Sequence, residues 1–156
     1  MPRRAVEVVV LAALVLAVVV LWPRAGPERP PFYADPVRTP GVLNPEVTQA
    51  TIGATICVHG WTKTVRPPSG YTGELKLRQM REYGATGAAA DYQEDHLISL
   101  ELGGSPDDPR NLWPQPRPWA DHVDTTENDL NEAVCSGRLT LAEAQRRESA
   151  LKHGGG

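Results

Sequence analysis

The most apolar part of this chain is its N-terminus. Residues 5–22 are almost wholly apolar and carry a single charge, and an α-helix of that length spans roughly 27 Å, close to the thickness of a hydrocarbon core. Arg3 and Arg4 precede this stretch, a polarity that places the N-terminus in the cytoplasm. The pattern predicts a signal anchor or a signal peptide over residues 1–22, and in both cases the rest of the chain is exported. No small-residue cleavage pattern follows and Trp22 suits a membrane interface, which favours the uncleaved anchor.

The next segment, residues 23–45, contains seven prolines and little apolar periodicity. This composition predicts a stiff, extended spacer that holds a folded domain away from the membrane. We expect the folded domain over residues 46–150. Residues 151–156, which end in three glycines, are expected to form a disordered tail.

Within residues 46–150 the pattern of apolar positions changes between strand-like and helix-like. Residues 51–66 are rich in Thr, Ile and Val and predict an N-terminal β segment, which Pro67 and Pro68 end. The other predicted elements are a helix over residues 71–84, a strand over residues 92–100, a Gly-rich turn, a brief strand over residues 111–113, a helix from Pro118 to about Val134, and a last helix that begins with a capping box at Thr140. This order predicts an α+β fold.

Two cysteines, Cys57 and Cys135, occur in the predicted domain. In an exported chain such a pair is most simply explained as a disulfide, which would close a loop of about 78 residues. Two unpaired buried thiols are one alternative. A zinc site that includes His59 is another, although the Cys-x-His spacing suits zinc poorly.

The net charge of the chain limits which partners it can bind. From Gly26 to the C-terminus there are 13 Lys and Arg residues against 18 Asp and Glu residues, a net charge of −5. Nucleic-acid binding requires a positive surface. A nuclease built on this chain would therefore need local basic patches and a bound cation.

One stretch, "YQEDHLISLELGGSPDDPRNLWPQP" over residues 92–116, combines an Asp–His pair, a Gly–Gly turn and an Asn–Leu–Trp–Pro run. It resembles the ββα-metal core of the HNH endonucleases, and residues 51–147 also resemble a family of small exported bacterial proteins with this signature. The resemblance implies a small ββα-metal core, here with an additional N-terminal β segment and flanking helices, preceded by a single transmembrane or signal-anchor helix.

The resemblance also implies roles for individual residues. His96 matches the general base, Asp95 a metal ligand, and Asn111 the central Asn that ties the loop and orients the base. The third position of the motif lies on the helix about ten residues after the Asn, at Asp121 or His122. An imidazole at His122 suits a transition metal, whereas the carboxylate of Asp121 suits Mg²⁺. The exported family often carries a Lys–Asp pair in this region, where this chain has Val–Asp at residues 123–124.

Phosphodiester hydrolysis needs a base for the attacking water, a Lewis acid and rigid placement of both. His is suited to be the base because its ordinary pKa lies near neutrality. Neighbours on a strand point to opposite faces, so Asp95 and His96 share one site only where the strand bends.

Two functions are therefore expected. The first is an endonuclease that hydrolyses DNA with a divalent metal ion (Mg, Mn, Ni or Zn), secreted or tethered to the membrane with its domain outside the cytoplasm. The second is a catalytically inactive HNH-fold protein with a binding or structural role in the cell envelope. The partners expected are DNA and, through the N-terminal helix, the membrane; the sequence indicates no protein partner.

Overall fold

The computed structural model describes residue 30 and residues 32–155, which form an α+β domain and confirm that predicted class. Its helices and strands, in chain order, are α1 (Trp61–Val65), α2 (Ser69–Glu82), β1 (Tyr92–His96), β2 (Leu112–Pro116), α3 (Arg117–Cys135) and α4 (Leu141–Lys152). Short 3-10 turns lie at Ile52–Ala54, Ala89–Asp91, Leu100–Leu102 and Pro109–Asn111.

The strands β1 and β2 form an antiparallel pair in which Tyr92 lies opposite Pro116 and His96 lies opposite Leu112. Helix α3 follows β2 directly, and Pro118 occupies its first turn, where a missing backbone N–H costs nothing. Strand, turn, strand and helix thus follow in the predicted order. Strand β1 is shorter than the strand predicted over residues 92–100, because the chain bends after His96 and forms a 3-10 turn at Leu100–Leu102.

The main core lies between α3, α4 and the turn after β1. It is a cluster of buried apolar side chains: Val47, Ile56, Ile98, Leu102, Leu130, Val134, Leu141 and Ala144. Helix α2 packs against both strands, with Leu75 and Met80 buried. Helix α4 begins as predicted, because the Thr140 side chain accepts a hydrogen bond from the backbone N–H of Glu143. The hairpin is therefore covered by helices that fix its orientation.

The prediction of an N-terminal β segment over residues 51–66 is wrong. This segment contains the 3-10 turn Ile52–Ala54 and the short helix α1, which follows Gly60 at a positive φ of 80°. The Ile52 carbonyl accepts hydrogen bonds from the backbone N–H groups of both Thr55 and Cys57, so the chain turns back on itself instead of extending. Local turns and the burial of Ile56 outweigh the β propensity of Thr, Ile and Val.

The described residues of the predicted spacer pack against the domain. Ala34 is buried, and its backbone N–H donates to the Lys152 carbonyl at 3.0 Å. Leu43 forms an isolated bridge with Gly104, and the Asn44 N–H donates to the Gly103 carbonyl at 2.9 Å. The chain turns within this segment, where the Thr39 N–H donates to the Asp35 carbonyl at 2.8 Å, and prolines are compatible with such turns.

The predicted anchor, residues 1–22, lies outside the described residues. Among the residues that the structure does describe, none of the helices has the length and apolar character that a membrane crossing needs.

The predicted disulfide is confirmed: Cys57 and Cys135 are bonded, with their Cα atoms 5.5 Å apart. The bond joins the segment before α1 to the last residue of α3, and 78 positions separate its two cysteines in the sequence. It therefore ties the N-terminal turns of the domain to the end of the long helix.

Replacing both cysteines, Cys57→Ser with Cys135→Ser, should lower the free energy of unfolding by roughly 4 kcal/mol, because the unfolded chain regains the entropy of an open loop. Denaturant unfolding of the double variant measures this loss. Reduction of the unaltered protein should produce a similar loss, and an unchanged midpoint in both experiments would contradict the prediction.

Candidate functional site

A cleft of about 400 Å³ lies where the end of β1 meets α3 and the end of α1. Most of its lining side chains are polar: Thr62, Arg66, Gln93, Asp95, His96, Ser99, Glu101, Asp124, Glu127 and Asn128, together with Leu100. Asp95 and His96 both line it, because the strand ends at His96 and the chain bends there. The structure thus brings the predicted Asp–His pair into one cleft.

The imidazole of His96 is held in a defined state. It is buried, and its Nε2 lies 2.9 Å from the carbonyl oxygen of Pro106. A carbonyl only accepts, so Nε2 carries the proton and Nδ1 keeps a lone pair. Burial lowers the pKa of His96 and outweighs the opposite effects of the Pro106 carbonyl and of Asp95. His96 is therefore neutral at neutral pH, with Nδ1 available to accept a proton.

Asn111 fixes the turn that supplies this carbonyl. Its side chain is fully buried, and its Oδ1 accepts from the Ile98 N–H at 2.9 Å. Its Nδ2 donates to the carbonyls of Ile98 at 3.0 Å and Ser105 at 2.9 Å. Because Ser105 directly precedes Pro106, these bonds position the carbonyl that holds the His96 ring. Asn111 thus ties the loop and supports the orientation of the imidazole.

The Gly–Gly turn allows this close packing. A Cβ at Gly104 would lie 1.8 Å from the Ile98 carbonyl oxygen and 2.5 Å from Nδ2 of Asn111, so no side chain fits there. Gly103 has a positive φ of 78°, which glycine adopts at low cost, and a Cβ there would meet Val47. The two glycines are therefore required by the packing of the turn around Asn111.

Asp95 is engaged by a residue that the sequence did not indicate. The ammonium of Lys152, at the end of α4, is fully buried and lies 3.0 Å from Asp95 Oδ2, 2.5 Å from Glu127 Oε1 and 3.2 Å from Glu148 Oε1. It also donates to the backbone carbonyl of His96. We call this group of Asp95, Glu127, Glu148 and Lys152 the ion cluster.

Lys152 keeps its proton in this position. Burial alone would lower the pKa of Lys152, but the carboxylates of Asp95, Glu148 and Glu127 outweigh burial and raise it well above its ordinary value. One positive and three potentially negative groups therefore share a buried volume, with β1, α3 and α4 each contributing at least one of them.

The other carboxyl groups of the cleft hold protons more strongly than usual. Burial, followed by the charges of Glu127 and Asp124, raises the pKa of Glu101 to about 7. Burial raises the pKa of Asp124, and nearby Asp95 adds to the effect. Burial also raises the pKa of Glu127, although Lys152 opposes it. Of these three groups, Glu101 is thus partly protonated near neutral pH.

The two predicted helix ligands lie elsewhere. Asp121 and His122 are exposed and are not among the residues that line the cleft. The ring of His122 lies 5.3 Å from that of Trp119, centroid to centroid. The helix instead presents Asp124, Glu127 and Asn128 to the cleft. The structure therefore brings together Asp95, His96 and the Asn111 turn, and leaves Asp121 and His122 outside.

As they stand, these side chains do not fit the divalent metal ion that the HNH resemblance implies. In residues 30 and 32–155, no three or more His, Cys, Asp or Glu side chains are arranged to hold a metal ion. Asp95, the predicted ligand, already binds the Lys152 ammonium through Oδ2. The identity of a cofactor stays a prediction.

The sequence carries a signal for Glu127, Glu148 and Lys152, which were not predicted as site residues. In α4, Leu141, Ala144, Glu148 and Lys152 recur at helical spacing and are all buried. In α3, Glu127 falls between Val123 and Leu130 on the buried face. Charged residues on the apolar stripe of a helix need partners, and charges of opposite sign on two neighbouring stripes indicate a buried ion pair.

No protein-family model, curated protein or solved structure matches this chain, so its function is inferred from the site itself.

Glu101 should make the stability of the domain pH-dependent. Its pKa is about 7 in the folded protein against an ordinary value of 4.5, so folding takes up a proton between these values. The contribution of Glu101 to the free energy of unfolding is fully present below about pH 4.5 and is lost as the pH rises through about 7.

The Glu101→Gln variant should lack this loss and, at about pH 8, be more stable than the unaltered protein by on the order of 1 kcal/mol, a figure reduced because water reaches the carboxyl group. Denaturant unfolding of both proteins across this pH range measures the difference. Parallel curves would show that Glu101 titrates normally in the folded protein.

Proposed function

We propose that this domain hydrolyses phosphodiester bonds in DNA as an HNH-type endonuclease, with His96 as the general base. The observation that supports the proposal is the state of His96: its Nε2–H is fixed by the Pro106 carbonyl and its pKa is lowered, so Nδ1 is a free base at neutral pH. A base must be both unprotonated and rigidly placed to accept a proton from water. The buried Asn111 turn provides that rigidity.

The chemical step follows from this arrangement. Nδ1 of His96 accepts a proton from a water molecule, the water oxygen bonds to phosphorus, and the bond from phosphorus to the leaving sugar oxygen breaks. The leaving oxygen takes a proton from solvent or from a protonated carboxyl group of the cleft. A positioned base typically accelerates such a reaction by roughly 10²–10⁴-fold.

The charges of the cleft bear on how it would accept a phosphate. Arg66 is exposed at the cleft and supplies a positive charge there. Burial raises the pKa of Glu101 to about 7, which reduces the negative charge of the cleft near neutral pH. Phosphate binding is therefore more favourable than the net charge of the chain alone suggests.

The test compares two histidine variants of the full-length chain in a plasmid-nicking assay. His96→Ala should reduce nicking by about 10²-fold or more, because the base is lost. His122→Ala is the matched control, since His122 is exposed and lies outside the cleft; it should nick at the rate of the unaltered protein.

Two outcomes would contradict the assignment of His96. Nicking that survives His96→Ala, in a variant whose circular dichroism spectrum is unchanged, would leave this histidine with a structural role. Loss of nicking in His122→Ala alone would place the reactive histidine on the outer face of α3.

A second function is favoured by the ion cluster. The Asp95 carboxylate, which a nuclease of this type would use on a metal ion, is occupied by Lys152 at 3.0 Å. A protein that kept the fold and lost the chemistry would serve as an exported binding or structural module. Complete absence of nicking by the unaltered, folded protein with Mg²⁺, Mn²⁺ or Ni²⁺ would favour this function over hydrolysis.

A further inference from the structure

The carboxyl groups of the cleft differ in what they already bind. Of the described side chains that line the cleft, four carry a carboxyl group: Asp95, Glu101, Asp124 and Glu127. Asp95 and Glu127 are bonded to the Lys152 ammonium of the ion cluster. A proton on either of these two carboxylates would break its ion pair, so both are poorly suited to donate one. Glu101 and Asp124 remain as candidate proton donors.

These two candidates differ in burial. Asp124 is exposed on α3, where water surrounds it. Glu101 is half-buried and takes part in none of the ion pairs of the cleft. Its carboxyl group forms no hydrogen bond with any residue that the structure describes. Among the described residues of the cleft, Glu101 is therefore the carboxyl group that is both sheltered and uncommitted.

The backbone of Glu101 is held in place. Glu101 is the middle residue of the 3-10 turn Leu100–Leu102, whose two leucines are buried. Its carbonyl accepts a hydrogen bond from Nδ2 of Asn131 at 2.7 Å. The same cleft, of about 400 Å³, is lined by His96. One volume thus contains a fixed imidazole and a carboxyl group carried by a fixed turn.

The charges around Glu101 bear on its protonation. Burial raises the pKa of Glu101 to about 7, and Glu127 and Asp124 on α3 add to this effect. Lys152 on α4 and Arg66 at the end of α1 oppose it. A phosphate in the cleft would raise this pKa further, because a nearby negative charge favours the neutral form of a carboxyl group. Glu101 should therefore carry a proton when an anionic substrate is bound near neutral pH.

We propose that Glu101 is the general acid of the cleft and donates its proton to the sugar oxygen that leaves phosphorus. The assignment rests on the proposed hydrolytic function and deepens it, because that function does not identify the proton donor. His96 and Glu101 then have opposite roles. The imidazole accepts a proton as the new bond to phosphorus forms, and the carboxyl group gives one as the bond to the sugar oxygen breaks.

Protons and electron pairs balance over this step. Nδ1 of His96 takes one proton from the water molecule, whose oxygen bonds to phosphorus. The electron pair of the broken bond stays on the sugar oxygen, which takes the proton of Glu101. The products are a phosphate monoester, a sugar hydroxyl, an imidazolium and a carboxylate. Exchange with water then removes the proton from His96 and returns one to Glu101.

The experiment compares two substrates that differ in their leaving group, with the full-length chain in detergent. Glu101→Gln removes the proton donor, and the variant should fold, because its expected stability is at least that of the unaltered protein. On saturating plasmid DNA its kcat should fall by roughly 10²-fold or more. On bis(p-nitrophenyl) phosphate its kcat should change little, because p-nitrophenolate leaves without a proton. His96→Ala should lower both rates, because both substrates need the base.

The pH dependence separates proton donation from repulsion of the substrate. The kcat of the unaltered protein on DNA should fall as the pH rises above about 7, where Glu101 loses its proton. This fall should be absent in Glu101→Gln. A carboxylate that only repelled DNA would change KM and leave kcat unaltered. The matched control is Glu74→Gln, the same substitution at an exposed position on α2, which should keep the kcat and pH profile of the unaltered protein.

Three outcomes would overturn the assignment. One is an unchanged kcat on DNA in the folded Glu101→Gln variant. Another is an equal loss of both rates in that variant, which would give Glu101 a structural role. The third is a pH-dependent fall that disappears in Asp124→Asn and persists in Glu101→Gln, which would make Asp124 the donor. Failure of the unaltered protein to hydrolyse either substrate would instead contradict the hydrolytic function, and the assignment with it.

Discussion

The buried ammonium of Lys152 is the interaction on which the rest of this domain depends. Taking a charge out of water costs several kcal/mol, and the cost is offset only where carboxylates converge with good geometry. Here they come from β1, α3 and α4, so the ammonium fixes these three elements against one another. It also donates to the backbone carbonyl of His96, while the ring of the same residue is held by Pro106. The candidate base is therefore positioned from both its backbone and its side chain.

Local sequence signals predicted the features of the fold that short-range interactions determine. The α+β class, the beginning of the last helix at Thr140 and the Cys57–Cys135 bond were predicted and are confirmed. Each depends on a short-range feature, namely apolar periodicity, a capping side chain or two cysteines in an exported chain. Residues 51–66 were mispredicted because β propensity reports how well side chains fit a sheet surface, and no neighbouring strand pairs with this segment among the described residues.

The site residues that a single local turn brings together were predicted. The residues that meet only through the packing of separate elements were not. His96 and Asn111 are linked through one tight turn, which Gly104 makes possible, so their spacing carries the information. Which face of α3 meets the cleft is set by the burial of side chains such as Val123. This burial places Asp124 at the cleft and Asp121 outside it. The ion cluster joins residues up to 57 positions apart, from three different elements, so only the unpartnered charges on helical apolar stripes could have indicated it.

In the cleft the pKa of His96 lies below that of Glu101, which is the reverse of the usual order for a histidine and a glutamate. This reversal concerns the hydrolytic proposal. Burial lowers the pKa of His96 from 6.5 and raises that of Glu101 from 4.5 to about 7. Between these two pKa values the imidazole and the carboxyl group are both uncharged. With their ordinary pKa values the two groups would not be uncharged together, because the carboxyl group ionises before the imidazole loses its proton. Below this range His96 takes up a proton and is lost as a base. Above it Glu101 becomes negative and repels an anionic substrate. The proposed general base and a phosphate substrate would thus be compatible in this cleft, because burial shifts both groups toward their uncharged forms.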